Sequence, residues 1–234
     1  MDKDKIILRV KNLTVTFNGE KVIDNLSFEL ERGAFLTILG PNGCGKTVLL
    51  KALLGLIPYE GEIYWAEDAR ISYLPQGFSS LAFKDYPISV KEFFGLKRVK
   101  NVEKYLSFVG LEEDVLEKNM GSLSLGTFQR VLIAWSLVSE PNVLLLDEPT
   151  TGIDVKGEVT VYNLLLELWK RGITILMVTH EIDIVYAHST NVLCLSKKGF
   201  LCYGKPEDLT PQKLEEIYGF GIKIYRHGGK RARP

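Results

Sequence analysis

The sequence predicts an α/β fold, in which a mainly parallel β-sheet carries helices, follows an antiparallel β region and is interrupted by a helical insertion. Short runs of apolar residues, Val143 to Leu146 and Ile173 to Val178, are typical of strands buried on both faces of a parallel sheet. Alternating apolar and polar residues near the start of the chain favour antiparallel strands. Mixed charged and apolar residues at helical spacing before residue 119 indicate the insertion.

These patterns divide one domain, residues 1–234, into four parts. We assign residues 1–34 to the antiparallel β region, 35–78 and 120–204 to the sheet core, 79–119 to the helical subdomain, and 205–234 to a C-terminal helix and a basic tail. The first region should contain strands over Ile6 to Val10, Leu13 to Phe17 and Val22 to Leu30. The insertion should contain helical segments over Lys91 to Val109 and Glu112 to Asn119, with breaks at Gly95 and Gly110. Its aromatic residues are expected to form a small core for the most part, or else an exposed groove for another protein's helix; they are Phe83, Tyr86, Phe93 and Phe94.

Composition narrows the possible partners. The 234 residues are 46% hydrophobic and carry 29 basic and 29 acidic side chains, so no broad basic surface for nucleic acid is expected. The chain has three cysteines, an odd number without metal-binding spacing, and this favours free thiols in a reducing cytosol. They are Cys44, Cys194 and Cys202. The sequence has neither an apolar leader nor an apolar run of about 18 residues, so contact with a membrane is expected through a partner.

The most specific motif is a G-x-x-x-x-G-K-[ST] loop between a predicted strand and a predicted helix. Glycines allow backbone N–H groups to surround a polyphosphate, Lys46 supplies a cation, and Thr47 offers a hydroxyl to Mg²⁺. Cys44 stands where serine is usual, and Val48 contributes only its backbone N–H. The predicted nucleotide-binding residues are Gly40, Pro41, Asn42, Gly43, Cys44, Gly45, Lys46, Thr47 and Val48.

A second motif ends the apolar run Val143 to Leu146 with two carboxylates. Carboxylates at the end of a buried strand are costly unless they serve a cation or a reaction. Asp147 is therefore predicted to bind Mg²⁺ beside Thr47, directly or through water. Glu148 is predicted to take the proton from, or at least to polarise, the water that attacks the γ-phosphate.

Four further positions are candidates whose residues also allow a purely structural reading. Gln76 follows a predicted strand and would bind Mg²⁺ or the attacking water, although alone it reads as a turn residue. Ser124 and Gly126 begin a helix and offer anion-binding groups, or a simple N-cap. His180 ends a strand where ligands gather, which favours a γ-phosphate sensor. Phe17, judged alone, is more typical of a core or edge residue than of an adenine-stacking ring.

The order of these features resembles the ATP-binding cassette (ABC) ATPases, members of the P-loop NTPase fold, over essentially the whole chain. The resemblance assigns Phe17 to adenine stacking, which reverses the reading of that residue alone. It implies catalytic roles for Glu148, His180 and Gln76, and Mg²⁺ binding by Thr47, Gln76 and Asp147. It also implies ATP and Mg²⁺ as cofactors and ATP hydrolysis coupled to transport.

The resemblance further implies partners. Two subunits would form a head-to-tail homodimer, in which Ser124, Gly126 and Asp154 of one chain contact the ATP bound by the other. Permease subunits would dock on the helical subdomain at the cytoplasmic face of the membrane, with a solute-binding protein involved indirectly. The segment Asp85 to Glu92 and the ending Tyr203-Gly204 are similar to ATPases of zinc, manganese or iron importers.

The signature segment departs from the family pattern Leu-Ser-Gly-Gly-Gln. Leu125 and Thr127 replace a glycine and a glutamine, which predicts reduced turnover or altered dimer closure. Two other functions stay open: a soluble ABC ATPase in iron–sulfur cluster assembly, and a slow regulatory cassette. Single-cassette length and the lack of long coiled coils argue against translation and DNA-repair members.

Overall fold

The computed structural model describes residues 5–77, 80–197 and 199–219. The chain begins with two long strands, β1 (Ile6–Phe17) and β2 (Glu20–Glu31), joined by a tight turn at Asn18 and Gly19. After β3 (Phe35–Leu39) and helix α1 (Lys46–Leu53), strand β4 (Glu60–Trp65) returns to pair with β1. The resulting antiparallel sheet has the order β2-β1-β4.

The remaining elements build the core and its insertion. They are β5 (Ile71–Leu74), α2 (Val90–Gly95), α3 (Val102–Phe108), α4 (Leu125–Leu137), β6 (Val143–Asp147), α5 (Val155–Lys170), β7 (Thr174–Val178), α6 (Ile182–His188), β8 (Asn191–Ser196), β9 (Gly199–Gly204) and α7 (Pro211–Tyr218). Strands β5-β6-β7-β3-β8 are parallel, and β9 adds an antiparallel edge. This arrangement confirms the predicted α/β class.

The central strands are buried on both faces, as their apolar sequences predict. Every residue of β3, β6 and β7 is buried, because helices cover one face of the sheet and the antiparallel sheet packs on the other side. Parallel strands present their carboxyl ends at one edge, where ligands bind in open α/β sheets. Thus β3, β6 and β7 deliver the phosphate loop, Asp147 and His180 to one end of the molecule.

The helical insertion is shorter in regular structure than the sequence predicts. The break predicted at Gly95 is confirmed, because α2 ends there and α3 follows it. The predicted helix over Glu112 to Asn119 is reduced to a 3₁₀ turn at Glu113–Glu117. The expected aromatic core is confirmed for Phe93 and Phe94, which are 6% and 0% exposed.

Two findings differ from the sequence-based expectations. Strand β4, which lies inside the range assigned to the sheet core, completes the antiparallel sheet by pairing with β1. Cys194 and Cys202 form a disulfide, so the expectation of three free thiols is wrong for two of them. The register of β8 and β9 places these residues opposite each other, with their Cα atoms 4.9 Å apart. Cys44 is the free cysteine among the described residues.

Candidate ATP site

The phosphate loop is shaped by glycines whose backbone no other residue adopts easily. Gly43 and Gly45 have φ of 78° and 102°, in the left-handed region that favours glycine. A Cβ on Gly45 would lie 2.8 Å from Cγ1 of Val22, so a side chain there would also collide with β2. The loop ends at Lys46, the first residue of α1, so an anion bound by the loop would lie at a helix N-terminus.

Lys46 is held inside this loop. Its side chain is 6% exposed, and Nζ donates hydrogen bonds to the carbonyl oxygens of Gly40 at 2.8 Å and Pro41 at 3.2 Å. Nζ also lies 3.9 Å from Oε1 of Glu148. The cation is thus fixed between the loop and the strand end, where a phosphate group can reach it.

Glu148 is the centre of the second half of the site. Its Oε2 accepts hydrogen bonds from Nε2 of Gln76 at 2.7 Å and from Oγ1 of Thr151 at 3.1 Å. Its φ is 50°, an unfavourable value for a residue with a Cβ, and its N–H donates to the carbonyl of Val178 at 3.1 Å. This backbone conformation directs the carboxylate away from the sheet and toward Lys46.

Asp147 has a different environment. It is 2% exposed, and neither carboxylate oxygen has a hydrogen-bond partner among the described residues. Burial raises the pKa of this carboxyl, and the nearby Thr47 hydroxyl partly offsets that rise. Buried carboxylate oxygens without partners, beside a hydroxyl and a lysine, fit a hard cation such as Mg²⁺.

These residues line one continuous region. A cavity of about 450 Å³ is lined by Lys46, Thr47, Gln76 and Glu148 together with other phosphate-loop residues. A neighbouring cavity of about 370 Å³ contains Gln76, Asp147 and Glu148. The structure therefore brings together the residues predicted to bind phosphate, to bind the cation and to activate water.

The three residues predicted to contact a partner's nucleotide lie elsewhere. Ser124, Gly126 and Asp154 line a separate cavity of about 440 Å³ that shares no residue with the phosphate-loop cavity. Ser124 caps α4 by accepting from the N–H of Thr127 at 3.3 Å, and Asp154 caps α5 by accepting from the N–H of Gly157 at 3.1 Å. Ser124 and Asp154 are therefore N-caps, whereas Gly126 is the second residue of α4.

Two predicted residues lie at the margins of the site. Phe17 ends β1 and is 42% exposed, so its ring has free surface. His180 is exposed and lies two residues after the end of β7. Neither side chain lines the phosphate-loop cavity.

Two contacts were not foreseen from the sequence. Thr151 donates to Glu148, and Gln129, which is 7% exposed, lines the cavity that contains Glu148. Thr151 lies three residues after Glu148, so a hydroxyl at that spacing was the available signal.

The fold and this arrangement define a P-loop nucleoside triphosphatase. The sequence profile of the ABC transporter family matches residues 23–151. The chain is 36% identical over 234 residues to the zinc import ATP-binding protein ZnuC of Wigglesworthia glossinidia brevipalpis, covering 94% of this chain and 98% of that protein. ZnuC of Pseudomonas putida is also 36% identical, over 231 residues, with coverage of 94% and 88%.

A solved structure agrees with these relatives. The cbiO1 subunit of Clostridium perfringens, part of the ABC transporter complex cbiONQ, superimposes with a TM-score of 0.75 at 30% identity, covering 87% of this chain and 90% of cbiO1. The chain belongs to the ABC transporter family of ATP-binding proteins and is an ATPase. No helix among the described residues has the length and apolar character needed to span a membrane.

Proposed function

We propose that this chain powers a metal-ion importer by binding and hydrolysing ATP as a head-to-tail homodimer at the cytoplasmic face of the membrane. The observation that carries the catalytic part is the meeting of Lys46, Gln76 and Glu148 in one cavity. The relatives named as zinc import proteins support the metal-ion part.

The phosphate loop binds the triphosphate of ATP. Its N–H groups and Lys46 supply positive potential, and the exposed ring of Phe17 stacks on the adenine. Mg²⁺ is held by Thr47, Gln76 and Asp147, a set that includes the two buried carboxylate oxygens without partners. When bound, Mg²⁺ neutralises the charge that develops on the phosphate oxygens.

Glu148 acts as the catalytic carboxylate. It accepts a proton from water, or polarises that water, as the oxygen approaches the γ-phosphorus. The hydrogen bonds from Gln76 and Thr151 fix the orientation of the carboxylate before water arrives. His180 contacts the γ-phosphate and stabilises the charge of the transition state.

The second chain completes the site. Ser124, Gly126 and Asp154 lie in a cavity separate from their own phosphate loop, so in this arrangement they are available to a nucleotide bound by another subunit. ATP then acts as the link between two chains, and its hydrolysis lets them separate. That closing and opening switches the access of the permease.

The helical subdomain supplies the contact with the permease. Leu81, Tyr86 and Leu96 are 72%, 68% and 68% exposed there and supply apolar surface for that contact. A solute-binding protein takes part indirectly by delivering the metal ion to the permease.

Replacing Glu148 by glutamine tests the catalytic assignment. The Glu148→Gln variant keeps side-chain size but lacks the base, so it should bind ATP, stop turning it over and accumulate as an ATP-bound dimer. Size-exclusion chromatography with light scattering measures the dimer, and phosphate release measures turnover. Full hydrolysis by Glu148→Gln would refute the role of Glu148.

Transport needs a separate test. The chain should be purified with the permease encoded beside it, reconstituted in vesicles, and assayed for ATP-driven uptake of zinc, manganese and iron. Uptake of one of these ions supports the proposal. Absence of such a permease, together with ATP turnover that responds to an iron–sulfur scaffold protein instead, would favour the soluble assembly ATPase.

A further inference from the structure

A cluster of polar side chains behind the ATP site joins three segments of the chain. Tyr162 comes from α5, Thr150 lies two residues after Glu148, and Thr179 and Glu181 flank His180. Tyr162, Thr150 and Thr179 are 5%, 8% and 2% exposed. None of these four residues has a part in the mechanism above.

Hydrogen bonds converge on one carboxylate oxygen in this cluster. Oε1 of Glu181 accepts from Oη of Tyr162 at 2.9 Å and from Oγ1 of Thr150 at 3.3 Å. The Tyr162 hydroxyl also lies 3.1 Å from Oγ1 of Thr150 and 3.4 Å from Oγ1 of Thr179. The N–H of Glu181 donates to Oγ1 of Thr179 at 3.2 Å, which closes the network.

The first turn of α5 takes part as well. The hydrogen bond that Glu158 makes to Glu181 when protonated, together with burial and the repulsion of the Glu181 carboxylate, raises the pKa of Glu158 to about 7. Glu158 and Tyr162 are one turn apart on the same helix. The Glu181 carboxylate therefore interacts with side chains from two successive turns of α5, the helix that begins after Asp154.

The geometry fixes the backbone on both sides of an exposed histidine. His180 lies between Thr179 and Glu181, and both neighbours belong to the network. The network also reaches the segment of Glu148, because only one residue separates Thr150 from Glu148. The N–H of Glu148 in turn donates a hydrogen bond to the carbonyl of Val178, the last residue of β7. The loop of His180, the loop of Glu148 and the start of α5 are thus coupled by direct contacts.

We propose that Tyr162 and Glu181 are positioning residues for ATP hydrolysis, which act by holding the His180 loop in register with the Glu148 loop and with α5. The inference rests on the role proposed above for His180. The hydroxyl of Tyr162 restrains the Glu181 carboxylate, and Glu181 restrains the backbone that carries the imidazole. Nucleotide binding by the phosphate loop does not depend on this network.

The test removes single polar groups and measures turnover and ATP affinity separately. Tyr162→Phe deletes one hydroxyl, and Glu181→Gln removes the charge while keeping the side-chain shape. Tyr203→Phe is the matched control, because it also deletes one tyrosine hydroxyl. That hydroxyl, on β9, donates to the carbonyl of Glu29 on β2 and takes no part in the network of Glu181. Titration calorimetry of the full chain with ATP gives Kd, and phosphate release gives kcat.

Tyr162→Phe and Glu181→Gln should each lower kcat by roughly tenfold, the effect of losing one hydrogen bond to a charged group, with Kd for ATP unchanged. Tyr203→Phe should leave kcat unchanged. In a His180→Ala background, Tyr162→Phe should cause little further loss, because a residue that acts through His180 has nothing left to position.

Two results would overturn the inference. One is an unchanged kcat in folded Tyr162→Phe and Glu181→Gln. The other is a loss from Tyr162→Phe that multiplies in full with that of His180→Ala. If His180→Ala alone kept full turnover, the proposed role of His180 would itself be wrong, and this positioning role would fall with it.

Discussion

Replacing Leu125 by glycine should raise ATP turnover while lowering stability. Leu125 is half-buried at the first position of α4, beside Gly126. It lines both the cavity of Ser124, Gly126 and Asp154 and the cavity that contains Glu148. Its Cδ2 lies 3.1 Å from the position that a Cβ on Gly152 would take. In the proposed dimer, this side chain would occupy the space through which a partner's nucleotide approaches Gly126.

The stability cost can be worked from the burial. A fully buried leucine contributes about 1.5–3 kcal/mol, so a half-buried one contributes roughly 1 kcal/mol. Glycine in place of a good helix former adds less than about 1 kcal/mol at a helix end. The total, about 1.5 kcal/mol, lowers Tm by roughly 3–6 °C in a chain of this size.

The assay combines thermal unfolding with phosphate release. Leu125→Gly should show the lower Tm together with a turnover several-fold above the wild-type value. Leu123→Ala is the matched control, because Leu123 is 7% exposed and packs in the core under the same helix. It should lower Tm without raising turnover. If Leu125→Gly lost stability as expected but turned over ATP no faster, the obstruction argument would be refuted.

Three further predictions follow from single side chains. Burial raises the pKa of the Cys44 thiol, which is 3% exposed. Iodoacetamide at pH 8 should therefore leave Cys44 unmodified in the folded chain and label it in denaturant, and mass spectrometry distinguishes the two results. Phe17→Ala should weaken ATP binding by about fivefold in titration calorimetry, which is the size of one aromatic stacking contact. Tyr64 is another exposed aromatic residue of the same sheet, so Tyr64→Ala should leave ATP binding unchanged. Equal effects of the two substitutions would argue against stacking. The pKa of Glu158 is raised from 4.5 to about 7, mainly by its hydrogen bond to Glu181, so protonation of Glu158 stabilises the fold. That stabilisation is complete below pH 4.5 and is lost as pH rises through about 7, so urea unfolding of Glu158→Gln should lack this decline.

The apolar strands and the phosphate loop could be read from local sequence. Five consecutive apolar or small residues before a glycine-rich loop define β3, and four consecutive apolar residues before Asp147 and Glu148 define β6. Each of these signals depends on neighbouring residues only. Local pattern therefore predicted which strands are central and which end of the sheet carries the polar groups.

Other features depend on which elements meet. The pairing of β4 with β1 and the pairing of Cys194 with Cys202 both arise from strand register, which a single segment does not encode. Tyr162 and Glu181 are 19 residues apart and read individually as an ordinary core aromatic and a helix-start acid. Their hydrogen bond appears only when α5 packs beside the end of β7.

The central claim is that each ATP site is made by two chains, and mixing two inactive variants tests it directly. Lys46→Ala disables the phosphate loop, and Ser124→Ala disables the signature. In a head-to-tail mixed dimer, the intact phosphate loop of one chain faces the intact signature of the other. The claim predicts that each variant alone is inactive, and that an equal mixture recovers roughly a quarter of wild-type ATP turnover, since half of random dimers are mixed and each has one intact site. A mixture as inactive as its components, with both variants folded, would contradict the claim.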